Sequence, residues 1–163
     1  ITMGTGGIAK LYTGSVSGST GLTDFVGDGS GRFRYNTSHS SAGFTTALTA
    51  GVNALYRERP SVSGTISTGT MVYGSNSPSF TFTGGSGIVN GDSTSGISIT
   101  SPLYSTSNQL RVGTYSVTAA GLAALGYNVA NVTNGSVTVT AKALDISGLT
   151  AGNKVYDLSL IHI

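Results

Sequence analysis

The chain has 163 residues, of which 25 are Gly, 24 Ser and 23 Thr, while charged residues make up 9% and the formal charge is +2. A hydrophobic fraction of 38% with so little net charge is the balance of a folded chain and not of a disordered one. Five Arg and three Lys scattered along the sequence form no basic face and give no support for a nucleic-acid partner, and the absence of Cys excludes disulfides, thiol nucleophiles and thiolate metal sites.

From Ile1 to about Ser41 glycine recurs every few residues, which favours turns over long elements, so only short strands at Ile8–Tyr12 and Arg32–Tyr35 are expected. Phe44, Ala47, Leu48, Val52, Leu55 and Tyr56 then recur near helical spacing behind a capping Ser41, which predicts a helix over 44–56 despite Gly51 in its middle. Arg57-Glu58-Arg59-Pro60 reads as a boundary, since the residue before Pro is pushed out of the α region.

Beyond it the period becomes alternating. Ile66, Thr68, Thr70 and Val72 share one side of a strand, Phe80 and Phe82 one side of the next, and Ile97 with Ile99 one side of a third. Leu110 with Val112 and Tyr115 with Val117 continue the pattern across a bend at Gly113-Thr114, and Val137, Val139 and Ala141 close it. Turns are marked at Gly74–Pro78, Asn90-Gly91-Asp92, Ser101-Pro102 and Asn134-Gly135, the last predicting a hairpin between the Val129/Val132 and Val137/Val139 runs. The result is about six strands over 64–143, interrupted by one helical turn at Ala119–Gly126. The expected class is mainly β: a small antiparallel module, β-grasp-like if the helix crosses a single sheet or an immunoglobulin-like sandwich if the strands form two, preceded by a Gly/Ser/Thr-rich segment with one short helix.

Candidate chemistry is sparse. His39 has Asp24, Asp28 and many serines within fifteen residues, but no Gly-x-Ser-x-Gly elbow accompanies it, and a solvated loop histidine is the expectation. Gly27-Asp28-Gly29-Ser30-Gly31 lacks the carboxylates a calcium loop needs and reads as a turn, as does Asp92 after Asn90-Gly91. Gly4-Thr5-Gly6-Gly7 lacks the ending of a phosphate loop, and Gly29-x-Gly31 lacks the third glycine of a dinucleotide site. The six acidic residues are too dispersed for paired-carboxylate chemistry, and the glycosylation-type triplets at Asn36, Asn131 and Asn134 arise freely in so Ser/Thr-rich a chain. Tyr73, Tyr104, Tyr115 and Tyr127 are expected at the edge of a small core. No catalytic, cofactor or metal residue is assigned.

The series Met71-Val72-Tyr73-Gly74, Pro78–Phe82, Gly87–Ser93, Gly113–Val117, Gly126-Tyr127-Asn128 and Asn134–Val139 resembles an MBG-type module of bacterial surface adhesins. Ile146–Asp157 resembles the opening of a YDG-type module, with Leu158 where that pattern continues in Gly. Leu11–Ser15, Arg32–Asn36 and Asn53–Glu58 resemble the segment that precedes such repeats in filamentous-haemagglutinin-like proteins. The resemblance implies a division into an upstream segment 1–59, a linker 60–63, an MBG-type module 64–143 and a truncated YDG-type start 144–157. The tail 158–163, with His162, resembles a translated transposon end and is expected to be a non-native read-through.

No signal peptide or run of eighteen apolar residues is visible and Ile1 is not an initiator Met, so the chain is expected to be a piece of a longer one whose address lies upstream. The resemblance implies an extracellular or outer-membrane-associated protein, exported with an outer-membrane partner. It also implies a non-catalytic role, spacing or presenting an adhesive region. Neighbouring modules of the same chain are the implied partners, with a host glycan or surface protein as a further implied one. Direct binding of host glycan or mucus by residues 64–143 is the alternative, and a secreted hydrolase built on His39 a more remote one.

Overall fold

The structure is a computed structural model that describes residues 4–150, 152 and 153. Its first strand is the expected one, β1 (Ile8–Thr13), followed by a helical turn α1 (Leu22–Val26) that no periodicity announces. Three short strands come next: β2 (Phe33–Arg34), β3 (Thr37–Ser38) and β4 (Ser41–Ala42), the last two paired antiparallel. The helix expected over 44–56 does not form. Residues 43–50 are irregular, and β5 (Gly51–Tyr56) is a strand lying between β1 and β2 and parallel to both. Two physical causes explain the difference. Gly51 has φ +110°, a left-handed value no helix interior accommodates. As the central strand of its sheet, β5 buries Asn53, Ala54, Leu55 and Tyr56 in succession, and a strand covered on both faces loses the alternation that distinguishes it from a helix.

The second block contains β6 (Ser61–Ile66), β7 (Gly69–Val72), β8 (Phe82–Ser86), β9 (Ser98–Ile99), β10 (Gly113–Thr118), α2 (Ala120–Leu125), β11 (Asn128–Thr133) and β12 (Gly135–Thr140). They form two sheets, ordered β7-β12-β10-β9 and β11-β6-β8, with α2 as the one helix of this block. The mainly β class stands, with parallel pairs added to the antiparallel ones.

The Asn134-Gly135 hairpin does not form. β11 pairs parallel with β6 in one sheet, and β12 pairs parallel with β7 in the other. Two long runs, β6–β7 and β11–β12, therefore cross side by side from sheet to sheet and keep the same register offset from Ser63↔Asn131 to Val72↔Thr140. Gly135 serves close approach at that crossing: a Cβ there would lie 2.2 Å from the Ser67 carbonyl oxygen.

The apolar core is continuous across both blocks. Phe33, Tyr35, Ala54 and Tyr56 from the upstream segment belong to the same buried cluster as Val62, Ile66, Val117, Leu122, Tyr127, Val137 and Val139. The contact also satisfies backbone groups that a helix end leaves open. The Leu125 carbonyl accepts from the Tyr35 amide at 3.0 Å, and the Ala124 carbonyl accepts from Thr45 and Thr46 at 2.9 and 3.1 Å. Gly126 permits the contact, since with φ +104° an added Cβ would fall 2.2 Å from the Tyr35 carbonyl oxygen. Residues 141–150 form no regular element, with Leu144, Ile146 and Leu149 exposed. The rest of the YDG-like stretch, including Tyr156 and Asp157, and the tail with His162 lie outside the described residues.

Candidate functional site

The densest polar cluster sits where the two blocks meet. The turn expected at Asn90-Gly91-Asp92 is present, with φ +55° at Asn90 and +64° at Gly91. It is inserted between α1, the strand end at Tyr35, and Tyr127 just after α2. Asp92 Oδ2 accepts hydrogen bonds from the Tyr35 hydroxyl at 2.7 Å and the Tyr127 hydroxyl at 2.8 Å, while the two rings pack at 4.5 Å between centroids. Asn90 Nδ2 donates to the Tyr35 oxygen at 2.9 Å, and Asn90 Oδ1 accepts from Thr23 Oγ1 at 2.6 Å. The Asn90 carbonyl accepts from the Gly29 amide at 2.9 Å, and the Tyr127 oxygen accepts from the Val89 amide at 3.2 Å. Chemically this is a connected network in which Asp92 Oδ2, Asn90 and the Tyr35 and Tyr127 hydroxyls bond one another, and Asp92 is buried.

Burial pushes the Asp92 carboxyl above its ordinary range, against the opposing pull of the Tyr35 and Tyr127 hydroxyls and of Arg34; Asp28 adds to the upward push. Burial likewise raises both tyrosines, so their hydroxyls stay protonated as donors at neutral pH.

Two neighbours complete the junction. Arg34 is 1% exposed and its guanidinium donates to four carbonyls: Phe33 and Gly31 at 2.7 and 2.8 Å, Ala47 at 2.6 Å and Thr46 at 3.1 Å. Tyr56 stacks on Tyr35 at 5.6 Å, but its buried hydroxyl, beside Asn90 and Thr23, meets neither with hydrogen-bond geometry. A buried hydroxyl without a partner contributes nothing to offset its desolvation. Tyr56→Phe is therefore expected to leave stability unchanged or raise it by up to about 1 kcal/mol. Urea unfolding of the full chain checks this, and a loss above that size would mean the hydroxyl has a partner.

The other residues weighed from sequence are dispersed. His39 is exposed at the β3–β4 turn against the Tyr12 ring, 5.9 Å between centroids, in a cavity whose lining holds no carboxylate. Asp28 lies instead beside Gly91, where an added Cβ would be 2.7 Å from its carboxylate. Among the described residues no cluster of three His, Asp or Glu could hold a metal. Tyr115 and Tyr127 are core residues as expected, Tyr73 is half-buried and donates to Ser105 Oγ at 2.9 Å, and Tyr104 is exposed. Sequence reasoning missed Arg34 and Tyr35 as core, and put Tyr56 on the apolar stripe of a helix instead of in a buried strand. The only local signal was the Phe33/Tyr35 alternation within the expected Arg32–Tyr35 strand.

No curated protein and no solved structure matches the chain. The family profile of the MBG domain (YGX type) matches residues 63–138, the span from β6 into β12. That match marks the second block as consistent with an MBG module, of the kind that suggests a repeat unit of a larger protein.

Proposed function

We infer that the chain is a non-catalytic, load-bearing segment of a large secreted bacterial surface adhesin of the filamentous-haemagglutinin-like kind, in which the MBG-type module holds a distal adhesive region away from the cell. The observation that carries this reading is the strand geometry. A pull between the N-terminal end of β6–β7 and the C-terminal end of β11–β12 acts on two runs that are parallel partners along both sheets. Ladder hydrogen bonds lie across the strands, so a pull along the strands loads them all at once in shear instead of opening them in turn. The MBG match and the resemblance to adhesin repeats support the context. Exposed Leu144, Ile146 and Leu149 support reading residues 144–157 as the opening of a following YDG-type module, whose core those side chains would enter. Export by an outer-membrane partner belongs to the same proposal.

Single-molecule pulling on the full chain tests it. Attachment at positions 60 and 142 shears the parallel runs, whereas attachment at 112 and 142 peels β12 from antiparallel β10, starting at Gly113↔Val139. The expected rupture force is at least twofold higher in the first geometry. Equal or lower force would overturn the load-bearing reading.

A further inference from the structure

The upstream segment carries a surface feature that load bearing does not use. Lys10 and Tyr12, two apart on β1, present side chains to one face, and both are exposed. The β3–β4 turn brings His39 against Tyr12, and the Arg57 amide donates to the Thr13 carbonyl at 3.0 Å, fixing Arg57 beside the end of β1. The Tyr12–His39 pair thus borders two adjoining cavities, one of about 280 Å³ reaching Arg57 and one of about 250 Å³ reaching Lys10. Each has one cation and neither has a carboxylate in its lining; both share Thr37, whose buried hydroxyl donates to the Ser41 carbonyl at 2.8 Å, and Ser38, whose hydroxyl lies at the surface 3.3 Å from that of Ser40.

We propose that this double groove binds an acidic oligosaccharide, with a pyranose face on the Tyr12 ring and a uronic-acid carboxylate on Arg57. The chemistry follows from the parts. Tyr12, a residue 43% exposed, offers an aromatic surface to the apolar C–H side of a sugar. The surface hydroxyls of Ser38 and Ser40 exchange hydrogen bonds with sugar hydroxyls, and the Arg fork matches a carboxylate in a bidentate pair. Lys10 in the second cavity adds a point charge for the next residue of the saccharide. Each cavity falls just below the roughly 300–1,000 Å³ of drug-sized ligand sites, which suits one sugar ring apiece. The groove lies within β1, β3, β4 and the end of β5, apart from the parallel runs of the module, so the proposal stands independently of the load-bearing reading.

The test is NMR titration of the full chain with a hyaluronan tetrasaccharide, with a neutral chitin tetrasaccharide and dextran sulfate as comparison probes. Saturable shifts confined to residues 10–14, 37–42 and 57 are expected with hyaluronan, with at least tenfold weaker binding to the neutral sugar. Tyr12→Ala and Arg57→Gln should each raise Kd at least tenfold, and Lys10→Gln about threefold. All three positions are exposed, so unchanged melting temperatures verify that the variants fold. Absence of saturable binding, or equal affinity for the neutral sugar, would overturn the proposal. So would dextran sulfate binding that depends on Arg57 but not on Tyr12 while matching hyaluronan in strength, because it would reveal a site for polyanions in general.

Discussion

Arg34→Ala is expected to destabilise the full chain by about 4 kcal/mol, a large share of the roughly 5–15 kcal/mol that holds a domain folded. Arg34 is the hub through which the irregular 43–50 segment is attached: its guanidinium takes the Thr46 and Ala47 carbonyls on one side and the Gly31 and Phe33 carbonyls on the other, with the Phe44 ring 5.9 Å away. Hydrogen bonds from a charged donor contribute about 1.5–3 kcal/mol each, and four that share one side chain fall short of adding up. Burial pulls the guanidinium below its ordinary value, countered by Asp92 and Tyr35, yet an arginine keeps its charge, so the cation is present to make all four bonds. Lysine keeps the charge without the planar fork and cannot span carbonyls on both sides, so Arg34→Lys should lose about 2 kcal/mol. The midpoint of urea unfolding should fall in that order with an unchanged slope. An alanine variant with the parent's midpoint would mean that the segment is held by something other than Arg34.

The same residue shows where sequence reasoning stops. Locally encoded features were legible: β1, the turn at Asn90-Gly91-Asp92 and the helical turn α2 depend on neighbours a few positions away. The misreadings share one cause, long-range partners. β5 looked helical because strands on both sides bury four residues in a row, and its partner β1 is some forty positions earlier. Asn134-Gly135 looked like a hairpin because that dipeptide suits one, but β11 and β12 each gain a parallel partner from β6–β7, and glycine is needed there to clear the Ser67 carbonyl. The Asp92 site was half legible: the turn followed from composition, while its burial follows from Tyr35, 57 residues away, and Tyr127, 35 residues away. His39 is a rare residue type in this chain, yet the cavity around it is lined by Tyr12, hydroxyl residues and Arg57, with no acid to orient it. One core spanning the two compositional blocks was likewise invisible, because a boundary read from Pro60 and charge says nothing about whether the segments on either side pack together.

Asp92 should make stability fall as pH rises. Its folded carboxyl titrates above the ordinary aspartate value of about 3.9, so the native state holds this proton more tightly than the unfolded chain does. The contribution is then fully present below about pH 3.9 and is lost as pH climbs through the folded value, after which it is constant. Asp92→Asn removes the titration while keeping an oxygen for the tyrosine hydroxyls. The stability difference, parent minus Asp92→Asn, should therefore decline with pH from about 3.9 up to the folded value and be flat above it, because carboxylates that do not act on Asp92 titrate alike in both proteins. Asp92→Ala differs in kind. It leaves the Tyr35 and Tyr127 hydroxyls, both buried, without their acceptor, at about 1–3 kcal/mol for each donor not re-satisfied, so about 3 kcal/mol should be lost across the whole range. Urea unfolding of the three proteins from pH 3.5 to 7.5 separates these effects. A parent-minus-Asn difference that grows with pH would show the opposite sign: a carboxylate held ionised by Arg34 and the two hydroxyls, with burial the weaker force. In that case the junction would tighten as pH rises instead of loosening.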